Sequence, residues 1–352
     1  MTEKKRITIQ DIAEKAGISK ATVSRFLNGK YEYMSQDTRQ RIEKIISETN
    51  YRPNKVASSL KTAKTDLISL VLSNPATNLT PFIVGSICDY CAFHGQKLIV
   101  VTTHGDLNLE QQQVRSLLDR QVDGIIVATG NNYDFYCQLH EDGYPIVLVD
   151  RVPPNSILDW VAINHYEATS TVIDHLIDQG YERIVLVRLS DQQNVANSTI
   201  QIREQSVEDT CFFRFGDHSH CEKLLIDQEA IWGTSNSDFQ ILECLKQYYE
   251  EGRNRPTAVF ATNGVLLGRL ICGFFQLGMQ ISSSFTLAGY DAWNFGNFLG
   301  DKISTIDQPL QRMGTLASEL LIGRIQQAEM PERIHRLLDC RVNLAAPLPP
   351  LK

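Results

Sequence analysis

The stretch TIQDIAEKAGISKATVSRFLN, residues 8–28, predicts two short helices joined by a tight turn. Thr8 followed by Asp11 is a helix-start signal, because the hydroxyl can accept a hydrogen bond from an otherwise unpaired backbone N–H. Gly17 can take the left-handed conformation that ends a helix, and Ser19 is placed to cap the next one. The apolar residues of the first helix recur at helical spacing: Ile9, Ile12, Ala13 and Ala16.

The second helix combines an apolar face with a polar one. Val23, Phe26 and Leu27 fall at i, i+3 and i+4, so we expect them to face a small core. On the opposite surface, an arginine can bond guanine bidentately in the major groove, and an alanine can contact a thymine methyl. This pattern favours a DNA-binding helix-turn-helix over an ordinary helical pair in a core. The predicted DNA-binding residues of the pair are Thr8, Ser19, Lys20, Ala21, Thr22, Ser24, Arg25 and Asn28.

A third helix and a short connecting helix follow. Ser35 is placed to begin the third helix, whose isoleucines at 42, 45 and 46 complete a three-helix core. Residues 1–52 are thus predicted to form an all-α domain. Pro53 can start another short helix, and residues 53–65 are predicted to be a hinge and linker.

The whole chain has the composition of a globular protein. Its 352 residues suggest two or three domains, and 43% of them are hydrophobic. No apolar run is long enough to cross a bilayer, and the N-terminal charges precede no apolar signal segment. Because no export signal is expected and the eight cysteines are scattered without a regular framework, we predict that they are reduced thiols and that the protein is cytoplasmic.

The net charge of −7 conceals an asymmetry. Residues 1–65 carry 14 Lys and Arg against 7 Asp and Glu, whereas the remainder carries 20 basic and 34 acidic residues. A basic head on an acidic body indicates a nucleic-acid partner at one end only.

From residue 66 onward, apolar runs of strand length alternate with amphipathic helical segments. The predicted strands are 67–73, 97–103, 123–129, 145–150, 183–189, 257–263 and 285–291. The predicted helices between them are 83–94, 109–120, 166–179, 238–251 and 266–277. Such alternation with continuous apolar strands predicts parallel sheets covered on both faces. Two such halves form a cleft, and ligands bind beyond the carboxyl ends of the strands.

Two segments of the head resemble the DNA-binding domain and hinge of the lactose-repressor/galactose-repressor (LacI/GalR) family. They are ITIQDIAEKAGISKATVSRFLNG (7–29) and TRQRIEKIISETNYRPNKVASSLKT (38–62). The body is similar to the family's effector-binding core, which has the periplasmic-binding-protein fold. The similar segments are DGII (123–126), VLVDR (147–151), ATNGVLLG (261–268), GYDAWNF (289–295) and STIDQPL (304–310).

The resemblance implies a domain plan. The body, residues 66–352, is expected to hold two parallel-sheet subdomains, with the chain crossing between them near Asn164, Asn294 and Leu321. The first subdomain is then 66–164 with 294–321, and the second is 165–293 with 322–352. The resemblance also implies a homodimer on a pseudo-palindromic operator. In the hinge, Leu60 would insert into the minor groove, with Asn54 and Ala57 beside it; the alternative for Leu60 is packing on the body.

Polar residues at the predicted strand ends point to a ligand. Asp150, Asn263 and Asp291 end strands, and their side chains suit a sugar's hydroxyls; the alternative is helix capping. The resemblance assigns the same three residues to effector binding, and it adds Thr199 and Arg203. Trp293 is expected either to stack on a sugar ring or to lie in the core. The effector is predicted to be a sugar or a sugar acid.

Two departures from the family pattern leave the ligand open. Gly264 stands where an Asp commonly follows the Asn, and SNPATNLTPF (73–82) has extra residues in a turn that lines the pocket.

Other classes of function have weaker support. Cys211, His218, His220 and Cys221 are zinc-ligand types in a stretch predicted as strand and loop, but their spacing matches no zinc motif. The sequence has no nucleophile elbow, P-loop or dinucleotide fingerprint, so we expect neither an enzyme nor a cofactor. The final residues LAAPLPPLK lack a heptad repeat, which predicts no tetramerisation tail. The sequence therefore predicts an effector-controlled transcription regulator that acts as a repressor; the alternative is a sugar-binding or sensing protein without a DNA function.

Overall fold

The computed structural model describes residues 7–32, 34–51, 64–73, 80–130, 132–153, 155–190, 199–227, 236–292, 300–326 and 332–347. The chain divides into two compact units, Met1–Thr65 and Asp66–Lys352. Each unit is described by itself below.

The described part of the first unit contains three helices: α1 (Ile9–Ala16), α2 (Lys20–Leu27) and α3 (Gln36–Thr49). Thr8 and Asp11 form a capping box, in which the Thr8 N–H donates to the Asp11 carboxylate at 2.7 Å. Gly17 ends α1 with a left-handed φ of 65°. Ser19 and Ser35 accept from the backbone N–H groups of Thr22 and Thr38 and so cap α2 and α3. The predicted caps and the turn are confirmed.

The core of this unit is small. Its buried cluster joins Ile12 and Ala13 of α1 to Val23 of α2, with Tyr51 beside them and Leu27, Ile45 and Ile46 packed against it. Phe26, which we expected to face this core, is only half-buried. Its ring packs edge-on against Tyr31, with 5.8 Å between the ring centroids.

The second unit alternates strands and helices. Its strands are β1 (Leu67–Leu72), β2 (Lys97–Thr102), β3 (Gly124–Ala128), β4 (Ile146–Val149), β5 (Asp159–Ile163), β6 (Arg183–Ser190), β7 (Cys221–Asp227), β8 (Thr257–Ala261), β9 (Phe285–Tyr290), β10 (Ser304–Asp307), β11 (His335–Leu338) and β12 (Arg341–Asn343). Its helices are α4 (Thr80–Phe93), α5 (Leu107–Asp119), α6 (Tyr133–Glu141), α7 (His165–Asp178), α8 (Thr199–Phe215), α9 (Asn236–Glu251), α10 (Gly264–Gln276) and α11 (Leu310–Gln326).

These strands form two six-stranded sheets of similar topology. The first has the order β11-β5-β4-β3-β1-β2, and its strand pairs are parallel. The second has the order β12-β10-β9-β8-β6-β7, and only its edge strand β12 pairs antiparallel. We call the first sheet with its helices the first lobe, and the second sheet with its helices the second lobe.

Each sheet is covered by helices on both faces, as continuous apolar strands require. In the first lobe, one face packs on α4 and α11 and the other on α5 and α6. In the second lobe, one face packs on α9 and α10 and the other on α7 and α8. Burial of these four clusters fixes the register of the sheets, and with it the side on which the strands end.

Among the described strands and helices, the chain crosses between the lobes at three places. β5 ends at Ile163 in the first lobe and α7 begins at His165 in the second. The other two crossings differ from those expected near Asn294 and Leu321. β10 belongs to the second sheet, so the chain returns between Asp307 and Leu310, and β11 belongs to the first, so it leaves again between Leu338 and Arg341.

The physical reason is that α11 packs as one straight helix on the first sheet. It buries Met313, Ala317 and Leu321 beside α4, so the chain cannot change lobes at Leu321. The stretch around Cys211 was also predicted wrongly, because Cys211 lies in α8 and only Cys221 begins a strand. Among the described helices, none is long and apolar enough to span a membrane.

Candidate nucleic-acid interface and ligand cleft

The outward surface of α2 carries the predicted DNA-binding side chains. Lys20, Ala21, Arg25 and Asn28 are exposed, and Thr22 and Ser24 are half-buried. The Asn28 amide donates to the Ser24 carbonyl oxygen at 2.8 Å. The structure thus brings two cations, a methyl group and an amide together on one accessible helix face.

Thr8, Ser19 and Thr22 have structural roles in addition to any contact with DNA. The Thr8 hydroxyl is 2.8 Å from Asp11 Oδ2, and the Ser19 and Thr22 hydroxyls are 2.9 Å apart. These bonds hold the N-termini of α1 and α2, the positions at which backbone N–H groups can bind a phosphate.

Sequence reasoning missed an aromatic–cation pair beside α2. The Arg39 guanidinium lies 4.1 Å from the centroid of the Tyr31 ring, and both residues are exposed. Arg39 extends the positive surface from α2 to α3. The hinge residues Asn54, Ala57 and Leu60 and the pocket candidate Trp293 lie outside the described residues.

The ligand cleft is built on two matching strand ends. Asp150 follows β4 and Asp291 follows β9, and both have left-handed backbone conformations, with φ of 68° and 60°. Their N–H groups donate to the carbonyl oxygens of Val161 at 3.0 Å and Ile306 at 2.9 Å, one strand along. Asp150 precedes a strand and caps no helix.

Arg203 is the central member of the polar network at these strand ends. It extends from α8, is only 2% exposed, and donates from Nη1 to the Thr262 carbonyl oxygen at 2.6 Å. Its Nη2 donates to Gln308 Oε1 at 3.1 Å, and its guanidinium lies 3.7 Å from the centroid of the Tyr290 ring. These contacts fix the guanidinium in a place where its charge lowers the pKa of both Asp150 and Asp291.

His165 and Gln308 complete the network, and sequence reasoning had named neither. His165 Nδ1 is 3.3 Å from Arg203 Nη2, and His165 Nε2 is 3.5 Å from Asp150 Oδ1, which links the second lobe to the first. Gln308 Nε2 donates to Asp291 Oδ2 at 2.7 Å. Gln308 directly follows β10, and His165 lies two residues after the end of β5. The apolar pattern did not reveal these two strands; a search for their ends would have found both residues.

Several polar atoms of this network are buried without a hydrogen-bond partner. They are Asp150 Oδ1, Asp291 Oδ1, Arg203 Nε and Thr262 Oγ1. A buried polar group without a partner costs free energy, on the order of 1–3 kcal/mol. Two carboxylate oxygens, a guanidinium N–H and a hydroxyl therefore lack partners, and a ligand rich in hydroxyl groups could supply them.

Burial sets the protonation states in the cleft. Desolvation raises the pKa of Asp291 to about 7, although Arg203 and Gln308 act in the opposite direction. Desolvation and the Arg203 charge lower the pKa of His165 to about 4, so its imidazole is neutral at physiological pH. Burial opposes ionisation of Asp150, but the facing His165, Arg151 and Arg203 outweigh it and its pKa lies below the ordinary value.

The other candidate pocket residues lie close by in sequence. Asn263 Oδ1 accepts from the Leu266 N–H at 3.0 Å and caps α10, which is the structural alternative that we had stated. Thr199 is buried as the first residue of α8, one turn before Arg203. At Gly264, a Cβ would approach Asp291 Cβ to 2.8 Å and its carbonyl oxygen to 2.9 Å. A side chain at position 264 would therefore displace Asp291.

The Cys–His stretch does not form a metal site in the described part of the chain, where no group of three suitable ligands is found. The rings of His218 and His220 stack instead on Phe212 and Phe215.

Comparisons with known proteins agree with this architecture. Residues 8–54 match the model for bacterial regulatory proteins of the lacI family, and residues 173–343 match a periplasmic binding protein-like domain. The chain is 31% identical over 323 residues to a probable HTH-type transcriptional regulator, EndR, of Paenibacillus polymyxa, covering 92% of each chain. It is 28% identical over 338 residues to the HTH-type transcriptional regulator KdgR of Bacillus subtilis (strain 168), covering 91% of each.

Solved structures share the fold at lower identity. One is a lac repressor dimer bound to operator and an anti-inducer, with a TM-score of 0.77 and 21% identity over 97% of this chain and 100% of that one. Another is a complex of the regulator CelR with cellobiose, with a TM-score of 0.61 and 22% identity over 96% of this chain and 98% of that one.

The fold and the two surfaces define a helix-turn-helix regulator with a periplasmic-binding-protein-like body. The chain belongs to the lacI family of bacterial regulatory proteins. This family consists of transcription regulators rather than enzymes.

Proposed function

We propose that this protein is a cytoplasmic repressor that binds a pseudo-palindromic operator as a homodimer and is controlled by a sugar or sugar acid in the cleft. The observation that carries this proposal is the buried chain of contacts Asp150–His165–Arg203–Gln308–Asp291, which joins the two lobes and leaves acceptor and donor atoms unpaired. A ligand that pairs those atoms binds one arrangement of the lobes better than another.

The DNA-contacting role belongs to the exposed face of α2. Arg25 and Lys20 present donors there, and Ala21 presents a methyl group, which is the chemistry that distinguishes bases in the major groove. A recognition helix placed twice in a homodimer contacts two half-sites, so the operator is expected to be pseudo-palindromic. The lac repressor dimer bound to operator, which shares this fold, supports that arrangement.

The effector class follows from the polar atoms of the cleft. Asp150 and Asp291 accept from ligand hydroxyls, and Arg203 Nε donates to a hydroxyl or to a carboxylate. Structures of the same fold contain cellobiose and ribose, which supports a sugar. Thr199, Asn263 and Trp293 remain proposed members of the pocket.

Control requires that the lobes move relative to each other. The three crossings beside the cleft allow a change in lobe angle, and a ligand held by both Asp150 and Arg203 stabilises one angle. In the proposed mechanism this change alters the paired hinge segments, where Asn54, Ala57 and Leu60 would contact the minor groove. Operator affinity then depends on the effector.

The DNA-binding role is tested by titrating full-length protein against DNA selected from random sequence, at several salt concentrations. We expect a clear sequence preference and a steep loss of affinity with salt, because lysine and arginine displace counterions from phosphates. Binding without preference over random DNA would overturn the proposal and favour a sugar-binding protein without a DNA function.

Replacing Arg25 by alanine tests the assigned surface. We expect Arg25→Ala to weaken operator binding by about 1–3 kcal/mol and to relax the preference at one base pair in each half-site, because a bidentate contact is lost. The matched control is Lys44→Ala on the exposed side of α3, which should leave the sequence preference unchanged. An unaltered preference in Arg25→Ala would contradict the role given to this residue.

A further inference from the structure

Arg151 is a half-buried cation at the carboxyl edge of the first sheet. It directly follows Asp150, and its N–H donates to the Val149 carbonyl oxygen at 2.8 Å, so the chain turns sharply where β4 ends. Its side chain then crosses to the end of β3, where Nη1 is 3.5 Å from the Thr129 carbonyl oxygen. The stem packs on Gly130, where a Cβ would lie only 2.7 Å from Arg151 Cβ. The guanidinium is therefore held at the strand ends beyond which ligands bind in this fold.

The charge of Arg151 is not compensated by an ion pair within the described part of the chain. Elsewhere in the second unit, the buried or half-buried arginines Arg183, Arg188 and Arg324 each face a carboxylate, at distances of 2.6, 3.3 and 2.6 Å. Arg151 lies near Asp150 and helps to lower the pKa of that carboxyl group, but it forms no hydrogen bond with it. A partly desolvated cation without a paired anion costs free energy, so an anionic group of a ligand would stabilise it.

The two arginines beside Asp150 offer different hydrogen-bonding edges. Arg203 commits Nη1 to the Thr262 carbonyl oxygen and Nη2 to Gln308, so that only its Nε remains unpaired. Arg151 commits only Nη1, and the edge formed by Nε and Nη2 has no partner among the described residues. A carboxylate matches two parallel N–H groups on one guanidinium edge, whereas a hydroxyl needs one donor. Arg151 is thus suited to a carboxylate and Arg203 to a hydroxyl.

We propose that Arg151 is an effector-binding residue that takes the carboxylate of a sugar acid, with Nε and Nη2 each donating to one carboxylate oxygen. Arg203 Nε donates to a hydroxyl of the same ligand. This inference rests on the proposed function and narrows its effector from a sugar or sugar acid to a sugar acid. A neutral sugar would leave the charged edge of Arg151 unpaired, which is the physical basis of the selectivity.

The two contacts come from different lobes. Arg151 follows β4 of the first lobe, and Arg203 extends from α8 of the second. A ligand that reaches both is shared between the lobes, so it stabilises the arrangement in which both contacts form. The carboxylate therefore contributes to the effector response as well as to affinity.

Matched neutral and acidic sugars test the selectivity in the full-length protein. D-glucose is compared with D-glucuronate and D-gluconate, and D-galactose with D-galacturonate and D-galactonate, by thermal shift and then by calorimetric titration. Each acid differs from its neutral counterpart in one oxidised carbon. We expect at least one acid to bind about 10-fold more tightly than its counterpart, because hydrogen bonds between charged groups are the stronger ones.

Sugar phosphates distinguish a carboxylate site from a general anion site. Phosphate also matches a guanidinium edge, so glucose and galactose phosphorylated at the primary hydroxyl are added to the same titrations. We expect both phosphate esters to bind more weakly than the best acid. Tighter binding of a phosphate ester than of every acid would overturn the assignment of a carboxylate to Arg151.

Variants of Arg151 test the contact with the acid that binds. Arg151→Gln removes the charge and the paired donors, and it should weaken binding of the acid by about 10–100-fold while affinity for the matched neutral sugar is unchanged. Arg151→Lys retains the charge without the parallel N–H groups and should recover only part of this loss. Arg115→Gln makes the same charge change at an exposed position of α5 in the same lobe, and this control should bind the acid normally.

The outcomes separate this inference from the proposed function. Binding of neutral sugars alone would overturn the inference and leave the proposed function standing. Unchanged affinity for the acid in Arg151→Gln would also overturn it, and so would an equal loss for the acid and the neutral sugar, which would indicate a purely structural role. Binding of neither class would contradict the sugar-type effector of the proposed function as well.

Discussion

Asp150 and Asp291 occupy equivalent places in the two lobes and yet have opposite electrostatic properties. Each follows the strand that lies third from the β11 or β12 edge of its sheet, each has a left-handed φ, and each donates its N–H to the adjacent strand. The pKa of Asp150 is lowered, whereas the pKa of Asp291 is raised to about 7.

The difference arises from the neighbours of each carboxyl group. Asp150 faces His165, Arg151 and the Arg203 charge, and it is half-buried. Asp291 is 4% exposed, and burial raises its pKa by more than the Arg203 charge and the Gln308 hydrogen bond lower it, with the Asp307 charge adding to the increase. The two lobes thus have the same backbone arrangement at Asp150 and at Asp291. The charge states of these two carboxyl groups are determined by side chains from the lobe crossings and from α8.

Arg203 is the residue that both halves share, so its removal should have the largest effect. We expect Arg203→Ala to destabilise the second unit by about 3–5 kcal/mol, because the buried carboxylates lose their cation and the Thr262 carbonyl loses its donor. The measurement is urea-induced unfolding of the full-length protein.

The matched control for Arg203→Ala is Arg214→Ala on the same helix. Arg214 forms partly exposed ion pairs with Asp174 and Asp178, so its loss should cost less than about 1 kcal/mol. Equal effects of the two variants would show that Arg203 does not hold the two halves together.

Replacing each aspartate by asparagine should change the pH dependence of stability in opposite directions. In the folded protein Asp291 keeps its proton up to about pH 7, whereas an aspartate in the unfolded chain loses its proton near pH 4. The free energy of unfolding therefore falls as the pH rises from about 4 to about 7. Asp291→Asn should therefore stabilise the protein increasingly from pH 5 to pH 8, by at most about 4 kcal/mol. Asp150 has a lowered pKa, so Asp150→Asn should cost stability at neutral pH and less in acid.

Thermal unfolding of both variants across pH 5 to 8 measures this contrast. The folded pKa of His165 is about 4, and loss of the Asp150 charge would lower it further, so this imidazole stays neutral in the folded state from pH 5 to 8 in both variants. Parallel curves for the two asparagine variants would contradict the assigned electrostatic difference.

Replacing either aspartate should also weaken effector binding. This effect should be smaller than the effects on stability and similar for the two residues. Asp150→Ala and Asp291→Ala should each reduce the binding free energy of a sugar by about 1.5–3 kcal/mol, because a hydrogen bond to a charged or buried carboxyl group is lost. Ligands are first found by thermal shift with a panel of neutral sugars and sugar acids, since binding to the folded state raises its stability. Operator binding without ligand should be retained; an undiminished response to the ligand in Asp291→Ala would remove this residue from the pocket.

The sequence predicted the parts of the fold whose signal is local. The caps of α1 and α2 depend on residues three apart, and the central strands β1, β3 and β4 are continuous apolar runs. The missed strands were short or had mixed composition: β10 has four residues, and three of the four residues of β11 are exposed. These strands form because they pair with strands that are distant in the sequence, and a local pattern of residues carries no information about such partners.

The same limit explains the site. Asp150 and Asp291 were found because they end strands with a strong apolar signal. His165 and Gln308 were missed because they follow β5 and β10, whose signal is weak. Asn263 was placed correctly at a strand end, but only the structure shows that its oxygen caps α10.

The position of β11 has a consequence for the order in which the protein matures. This strand pairs with β5 through Trp160 and His335, residues that lie far apart in the chain. During synthesis, α1, α2 and α3 emerge early and fold from local contacts, whereas the first sheet must wait for residues 335–338. A nascent chain therefore has a complete DNA-contacting head before it has a complete first lobe, and a ribosome stalled between the two exposes the open edge of β5.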